Sequence, residues 1–275
     1  MFAKKSLGQY FLRCNWVVST LIKAAELNVN DMVLEVGPGT GILTRELAKN
    51  ARQVIAVEKD EKLADKLVKT LGDQTPNVTV IRADIMDMLQ AKLTSQRGKL
   101  SLQHALLQKK YKVVANIPYY LTSRLLRLLL ENGPRPELIV LTIQKEVAQR
   151  ICAKPPDMNL LALSVQIFGK PEIIKIVPAS CFSPKPKVDS AIIKISEISD
   201  SFFRKNSISQ DEFFGVIRRA FSQKRKMLTT SLAGILPKSY VESALAEAGA
   251  HNKARPEELG PEQWAKIVAG LSTSP

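Results

Sequence analysis

The sequence predicts an α/β protein: a parallel sheet in its first two thirds and a smaller, all-α domain behind it. Three observations lead there. Short apolar runs alternate with helical patterns from residue 16 to about residue 170, the rhythm of βαβ units. Two β-rich runs then follow each other with no helix between them, and from about residue 200 the chain turns helical and basic.

Taken in order, "WVVSTLIKAAEL" reads as a helix and "DMVLEV" as a short buried strand. The glycine turn "GPGTG" and the helix "ILTRELAKNA" come next. "QVIAVE" is a second strand, and Asp60 is placed to cap the helix "DEKLADKLVKTLG". "NVTVIRAD" is the third strand and "YKVVAN" the fourth. The helix "LTSRLLRLLLENG" follows, with Leu121, Leu125 and Leu128 on one face and Ser123 as its cap. "ELIVLTIQ" is the fifth strand, leading into "KEVAQRICA". "PEIIKIVP" and "VDSAIIKIS", joined by "ASCFSPKPK", should pair antiparallel and close the sheet. The excursion at 90–110 has no place in this rhythm. A boundary near "SEISDSFF" divides the chain into 1–198 and 199–275.

Composition excludes several chemistries. Two histidines, neither beside a Cys or a second His, argue against a histidine base or a His-rich metal site, so no metal is expected. Three cysteines far apart, without CxxC, read as incidental thiols in a reducing cytosol rather than as a disulfide framework. No apolar run approaches the roughly 18–20 residues that span a bilayer, and the N-terminus lacks the apolar core of a secretory signal. A cytoplasmic protein with no membrane partner is expected. Forty Lys+Arg against twenty-six Asp+Glu, a net charge of +14, attract a polyanion such as nucleic acid.

Gly37, Gly39 and Gly41 stand between a strand and a helix, where glycine lets the backbone approach a ligand. The spacing is GxGxG with Ile42 at the third glycine of a dinucleotide fingerprint, which argues against a nicotinamide cofactor. Glu58 ends the second strand, placed to bridge ribose hydroxyls, and Asp84 ends the third, placed to accept from an adenine amine. Each acid alone is more often a solvated strand end. Together, at consecutive strand ends, they suggest an adenosine cofactor without pyrophosphate: S-adenosylmethionine.

Asn116 ends the fourth strand on the same edge. An aryl amine such as adenine N6 is a poor nucleophile because its lone pair is delocalised into the ring. The Asn116 side-chain oxygen, with a backbone carbonyl fixed by Pro118, can accept both N6–H bonds and turn that lone pair toward a methyl. Tyr119 then stacks on the base, a contact worth roughly 1–3 kcal/mol.

The ordered set "GQYFL", "LEVGPGTGILT", "VEKD", "RADIM", "ANIPYYLTS", "LTIQKEVAQRI", "FSPKPKVDSAI", "AFSQKRKMLTTSL" and "ARPEELG" resembles the small-subunit ribosomal RNA adenine dimethyltransferases, the kasugamycin-resistance methyltransferase family. The resemblance implies a class I, Rossmann-like, S-adenosylmethionine-dependent fold with an α-helical, RNA-binding C-terminal domain. It implies dimethylation of N6 on two adjacent adenosines, in a hairpin loop near the 3′ end of 16S rRNA, by a monomer acting on the small ribosomal subunit or its precursor. Carried over by position, Gln9, Leu12, Gly37, Glu58, Asp84 and Asn116 hold the cofactor, while Tyr119 and Phe182 sandwich the target base. Arg218, Arg225 and Lys226, on the exposed side of a helix packed through Phe213, Ile217, Ala220 and Leu228, contact RNA phosphates. Tyr10 departs from the family's usual Asn or His. A 23S rRNA adenine methyltransferase and a non-catalytic assembly factor are the rival readings.

Overall fold

The computed structural model describes residues 8–71, 75–90, 110–132, 134–223, 226–233 and 237–272. The excursion at 90–110, apart from its ends, and Arg225 lie outside them. By contacts the chain forms two units, 1–148 with 170–198, and 149–169 with 199–275.

The first unit is built on a seven-stranded sheet. Its strands are β2 (Met32–Val36), β3 (Gln53–Glu58), β4 (Val78–Arg82), β5 (Lys112–Asn116), β6 (Leu138–Gln144), β7 (Lys170–Val177) and β9 (Ser190–Ser196), in the order β4-β3-β2-β5-β6-β9-β7. Strands β4 to β6 of that order run parallel, and β9 joins β6 antiparallel, with β7 antiparallel at the edge as the helix-free connection implied. Strands β2 and β6 are apolar because both faces are covered, so Val33, Leu34, Val140 and Leu141 are all fully buried. Order reverses between β2 and β5, so the crevice at their C-terminal ends is where an open α/β sheet takes its ligand.

Of the two helix caps expected from sequence, one is absent and one is present. The helix after β5 begins at Thr122, behind a 3₁₀ turn over Tyr119–Leu121, so Ser123 lies inside it and does not cap it. Asp60 does cap its helix, accepting from the Lys62 N–H at 3.1 Å.

The cysteine reading is corrected. A two-residue strand β1 (Phe11–Leu12) pairs antiparallel with β8 (Phe182–Ser183), and beside it Cys14 is disulfide-bonded to Cys181 with Cα atoms 5.1 Å apart. A separation of 167 residues hid the pair. Cys152 is not part of the disulfide.

The second unit packs around aromatic rings. Phe213 is edge-on to Phe202, Phe203 and Phe214, and Phe168 stacks on Phe214 with centroids 6.3 Å apart. Phe168 is one reason why 149–169 clusters with the C-terminal helices rather than with the sheet that surrounds it in sequence. The Met158 N–H also donates to the Glu257 carbonyl at 2.9 Å. The helix Gln210–Ser222 opens on a Ser209/Glu212 capping box and buries Phe213, Ile217 and Ala220. It stops at Ser222, so Lys226 does not continue its exposed face, contrary to the sequence reading. Among the described residues no helix is long and apolar enough to cross a membrane.

Candidate active site

The glycine turn takes the backbone the sequence required. Gly37 and Gly41 have φ of 68° and 78°, and a Cβ on Gly41 would run into the Leu67 side chain. The Gly37 N–H donates to the Val57 carbonyl at 2.9 Å, holding the turn against the end of β3. There the Glu58 carboxylate accepts from the Gly39 N–H at 3.1 Å and the Asp60 N–H at 2.9 Å. Burial raises its pKa, and those backbone donors oppose the shift. Two main-chain donors therefore fix this carboxylate beside the turn.

Asp84 lies two residues beyond the end of the next strand, β4, just before the helix that begins at Ile85. One oxygen accepts from the Met86 N–H at 2.8 Å and the other takes the Lys59 ammonium at 2.7 Å. Burial alone would raise its pKa, but the Lys59 hydrogen bond and charge outweigh that and lower it. Asn116 follows at the end of β5. Its Nδ2 donates to the Tyr10 carbonyl at 3.3 Å. The Pro118 carbonyl accepts the Leu121 N–H at 3.0 Å, which turns the chain into the 3₁₀ segment that carries Tyr119. The Tyr119 hydroxyl bonds to Ser190 Oγ at 2.7 Å, and burial raises its pKa, so the phenol stays neutral.

Glu58, Asp84, Asn116, Pro118 and Tyr119 line one open cavity, together with Gln9, Leu12, Gly37 and the exposed Tyr120. Tyr120, read from sequence as packing, is 57% exposed at its rim. Gln9 Nε2 reaches Asp60 Oδ2 at 3.4 Å. Phe182 is not brought there. It is buried in the apolar cluster with Leu12, Val177 and Cys181, because the β1–β8 pairing turns it inward, and the ring stacked on Tyr119 is that of Tyr10. Arg218, in the second unit, lies 5.0 Å from the Phe214 ring centroid and Lys226 is exposed.

Sequence reading passed over Glu35. This carboxyl is 1% exposed, lines the cavity, and has its Oε2 without a hydrogen-bond partner. Desolvation pushes its pKa up to about 8. The signal was an acid inside the apolar run "VLEV", where a charge is costly unless something pairs with it.

The family of ribosomal RNA adenine dimethylases matches residues 2–272. The chain belongs to that family. A small-subunit ribosomal RNA methyltransferase A from Dehalococcoides mccartyi is 40% identical, covering 99% of this chain and 90% of its own length. One from Rippkaea orientalis is 38% identical, with 98% of both chains covered. Among solved structures, a dimethyladenosine transferase from Plasmodium falciparum superposes with a TM-score of 0.74 at 27% identity, covering 94% of this chain and 95% of its own. The 23S rRNA methyltransferase ErmE superposes at 0.70 and 29%, covering 96% and 100%. The chain is thus an S-adenosylmethionine-dependent ribosomal RNA adenine dimethyltransferase on a Rossmann-like fold.

The cavity fits that cofactor. A buried, backbone-held carboxylate at Glu58 suits a ribose diol, Asp84 beyond the next strand end suits an adenine amine, and the Glu35 carboxyl, with its Oε2 left without a hydrogen bond, suits a cation.

Proposed function

We propose that the enzyme converts two adjacent adenosines, in a hairpin loop near the 3′ end of 16S rRNA, to N6-dimethyladenosines within the small ribosomal subunit or its precursor. Identities of 40% and 38% with small-subunit methyltransferases, over nearly the whole chain, support the small subunit. The observation that carries the chemistry is Asn116, Pro118 and Tyr119 in sequence at the end of β5, lining the same cavity as Glu58 and Asp84.

The bound cofactor supplies an electrophilic methyl on sulfonium. Glu58 holds its ribose, Asp84 its adenine, Gly37 admits it to the turn, and Gln9 and Leu12 cover it. Asn116 Oδ1 and the carbonyl oriented by Pro118 accept the two N6–H bonds of the target base. So held, the N6 lone pair would be withdrawn from ring conjugation and point in line at the methyl the cofactor would supply, with the N6 proton passing to water after transfer. Tyr119 stacks on the base. Most of the acceleration comes from alignment, for which roughly 7–11 kcal/mol is available to well-oriented reactants. Arg218, Arg225 and Lys226 hold RNA phosphates without reading sequence. The protein works as a monomer in the cytoplasm.

The test is transfer of labelled methyl to purified small and large subunits, followed by mapping of the modified bases. Label on paired adenosines of 16S rRNA is expected; label on 23S rRNA alone would overturn the assignment.

A further inference from the structure

The ring of Tyr10 lies against Tyr119, the residue proposed above to stack on the target base, with centroids 5.2 Å apart and planes inclined by 28°. A base held between two rings needs them about 7 Å apart, twice the ~3.4 Å spacing of stacked bases. At 5.2 Å nothing fits between these two. The main chain of the same residue meets the other catalytic group, for the Tyr10 carbonyl accepts from Asn116 Nδ2 at 3.3 Å.

These two contacts differ in how easily they move. The backbone around Tyr10 is held by the strand pair Phe11–Ser183 and Leu12–Phe182 and by the Cys14–Cys181 bond. Its ring is only half-buried and turns about two single bonds. An Asn116 amide that donates through Nδ2 to this fixed carbonyl presents Oδ1 as its other end, the atom needed to accept N6–H.

We infer that Tyr10 has two parts in this enzyme: its carbonyl orients the Asn116 amide, and its ring is a gate that covers Tyr119 until a target adenine displaces it. This rests on the reading of Asn116 and Tyr119 as the acceptor site. The covered ring discriminates against loose binding, since a base must replace a ring-on-ring contact with one at least as good. Asn116 and Tyr119, both half-buried, are thereby each engaged by Tyr10 in the RNA-free enzyme.

The gate predicts an inverted effect, in which deleting an aromatic ring beside the substrate improves substrate binding. Truncation to Tyr10→Ala and to Tyr10→Asn leaves the carbonyl in place and is expected to lower KM for RNA by about three- to tenfold, the equivalent of one lost aromatic pair. Change in kcat should be smaller than the change in KM. Tyr10→Phe keeps the ring and should keep the wild-type KM. Thermal melting and calorimetric binding of S-adenosylmethionine check that both truncated proteins are folded, and either one suffices. A KM that is unchanged or rises on truncation, with wild-type turnover intact, overturns the gate and leaves the proposed function standing. Absence of methylation by the wild-type enzyme overturns the proposed function and the gate with it.

Discussion

Along the strand-end edge, polar groups are buried and held: Glu35 and Glu58 at 1% and 6% exposure, with Asn116 and Tyr119 hydrogen-bonded beside them. In the helical unit the arrangement is the reverse. Phe168, Phe213 and Trp264 fill its interior, while Arg218, Arg219 and Lys226 stay in water. Buried polar groups are costly to keep and decide chemistry. Buried rings decide stability, and exposed charges tune affinity for a polyanion. A substitution should therefore act on kcat in the first region and on folding or salt dependence in the second.

The sharpest break would come at Asn116. Asn116→Ala is expected to lower kcat by roughly 100- to 1000-fold, the cost typical of one lost transition-state hydrogen-bonding group. The melting temperature should stay near that of the wild type, because the side chain supports little packing. Single-turnover methylation of RNA measures the first, and calorimetric melting the second. Phe213→Ala is the counterpart in the helical unit. It should cost about 3–5 kcal/mol of stability by leaving a cavity among the three rings of Phe202, Phe203 and Phe214, read from urea midpoints. Loss of cofactor affinity in its folded fraction would break the division between the two regions.

Glu35 tests whether polar burial serves the ligand. Its folded pKa of about 8 lies above the ordinary 4.5, so the folded protein keeps a proton that the unfolded chain loses. Stability from this group is therefore present below 4.5 and declines as pH rises toward 8. A cationic sulfonium or ammonium beside it favours the carboxylate instead. Binding of S-adenosylmethionine at neutral pH should then release up to one proton, seen as a dependence of calorimetric heat on buffer ionisation enthalpy. Glu35→Gln should remove that dependence. The smallest effect belongs to Arg218. Arg218→Ala should weaken RNA binding a few-fold and flatten the slope of log affinity against log salt by roughly 0.7 for one phosphate contact. Filter binding over a salt series measures it, and an unchanged slope would place the RNA elsewhere.

Much of the edge was legible because parallel βα units leave no choice about where strand ends lie. Once "VLEV", "QVIAVE", "NVTVIRAD" and "YKVVAN" are strands of one parallel sheet, the glycine turn, Glu58, Asp84 and Asn116 must share a rim. Glu35 escaped because its neighbours made it look like an ordinary strand residue. The capping box at Ser209 and the apolar face through Phe213, Ile217 and Ala220 are likewise local, set by spacings of three and four residues. The division into units was less so, since 149–169 is surrounded in sequence by sheet and gathers with distant helices.

By itself, then, the sequence determined the α/β class, the strand order's ligand edge and the acids along it, because each follows from periodicity and chain direction over a few residues. Tertiary structure alone decided which groups meet across 100 residues or more. It joined Cys14 to Cys181, turned Phe182 into the core, and laid Tyr10 over Tyr119 with its carbonyl on Asn116. Local pattern carries no information about such pairings, since they form only when the closed sheet brings the N-terminal strand β1 beside β8. The "GQYFL" stretch thus passed from a departure in a motif to the cover of the proposed acceptor site.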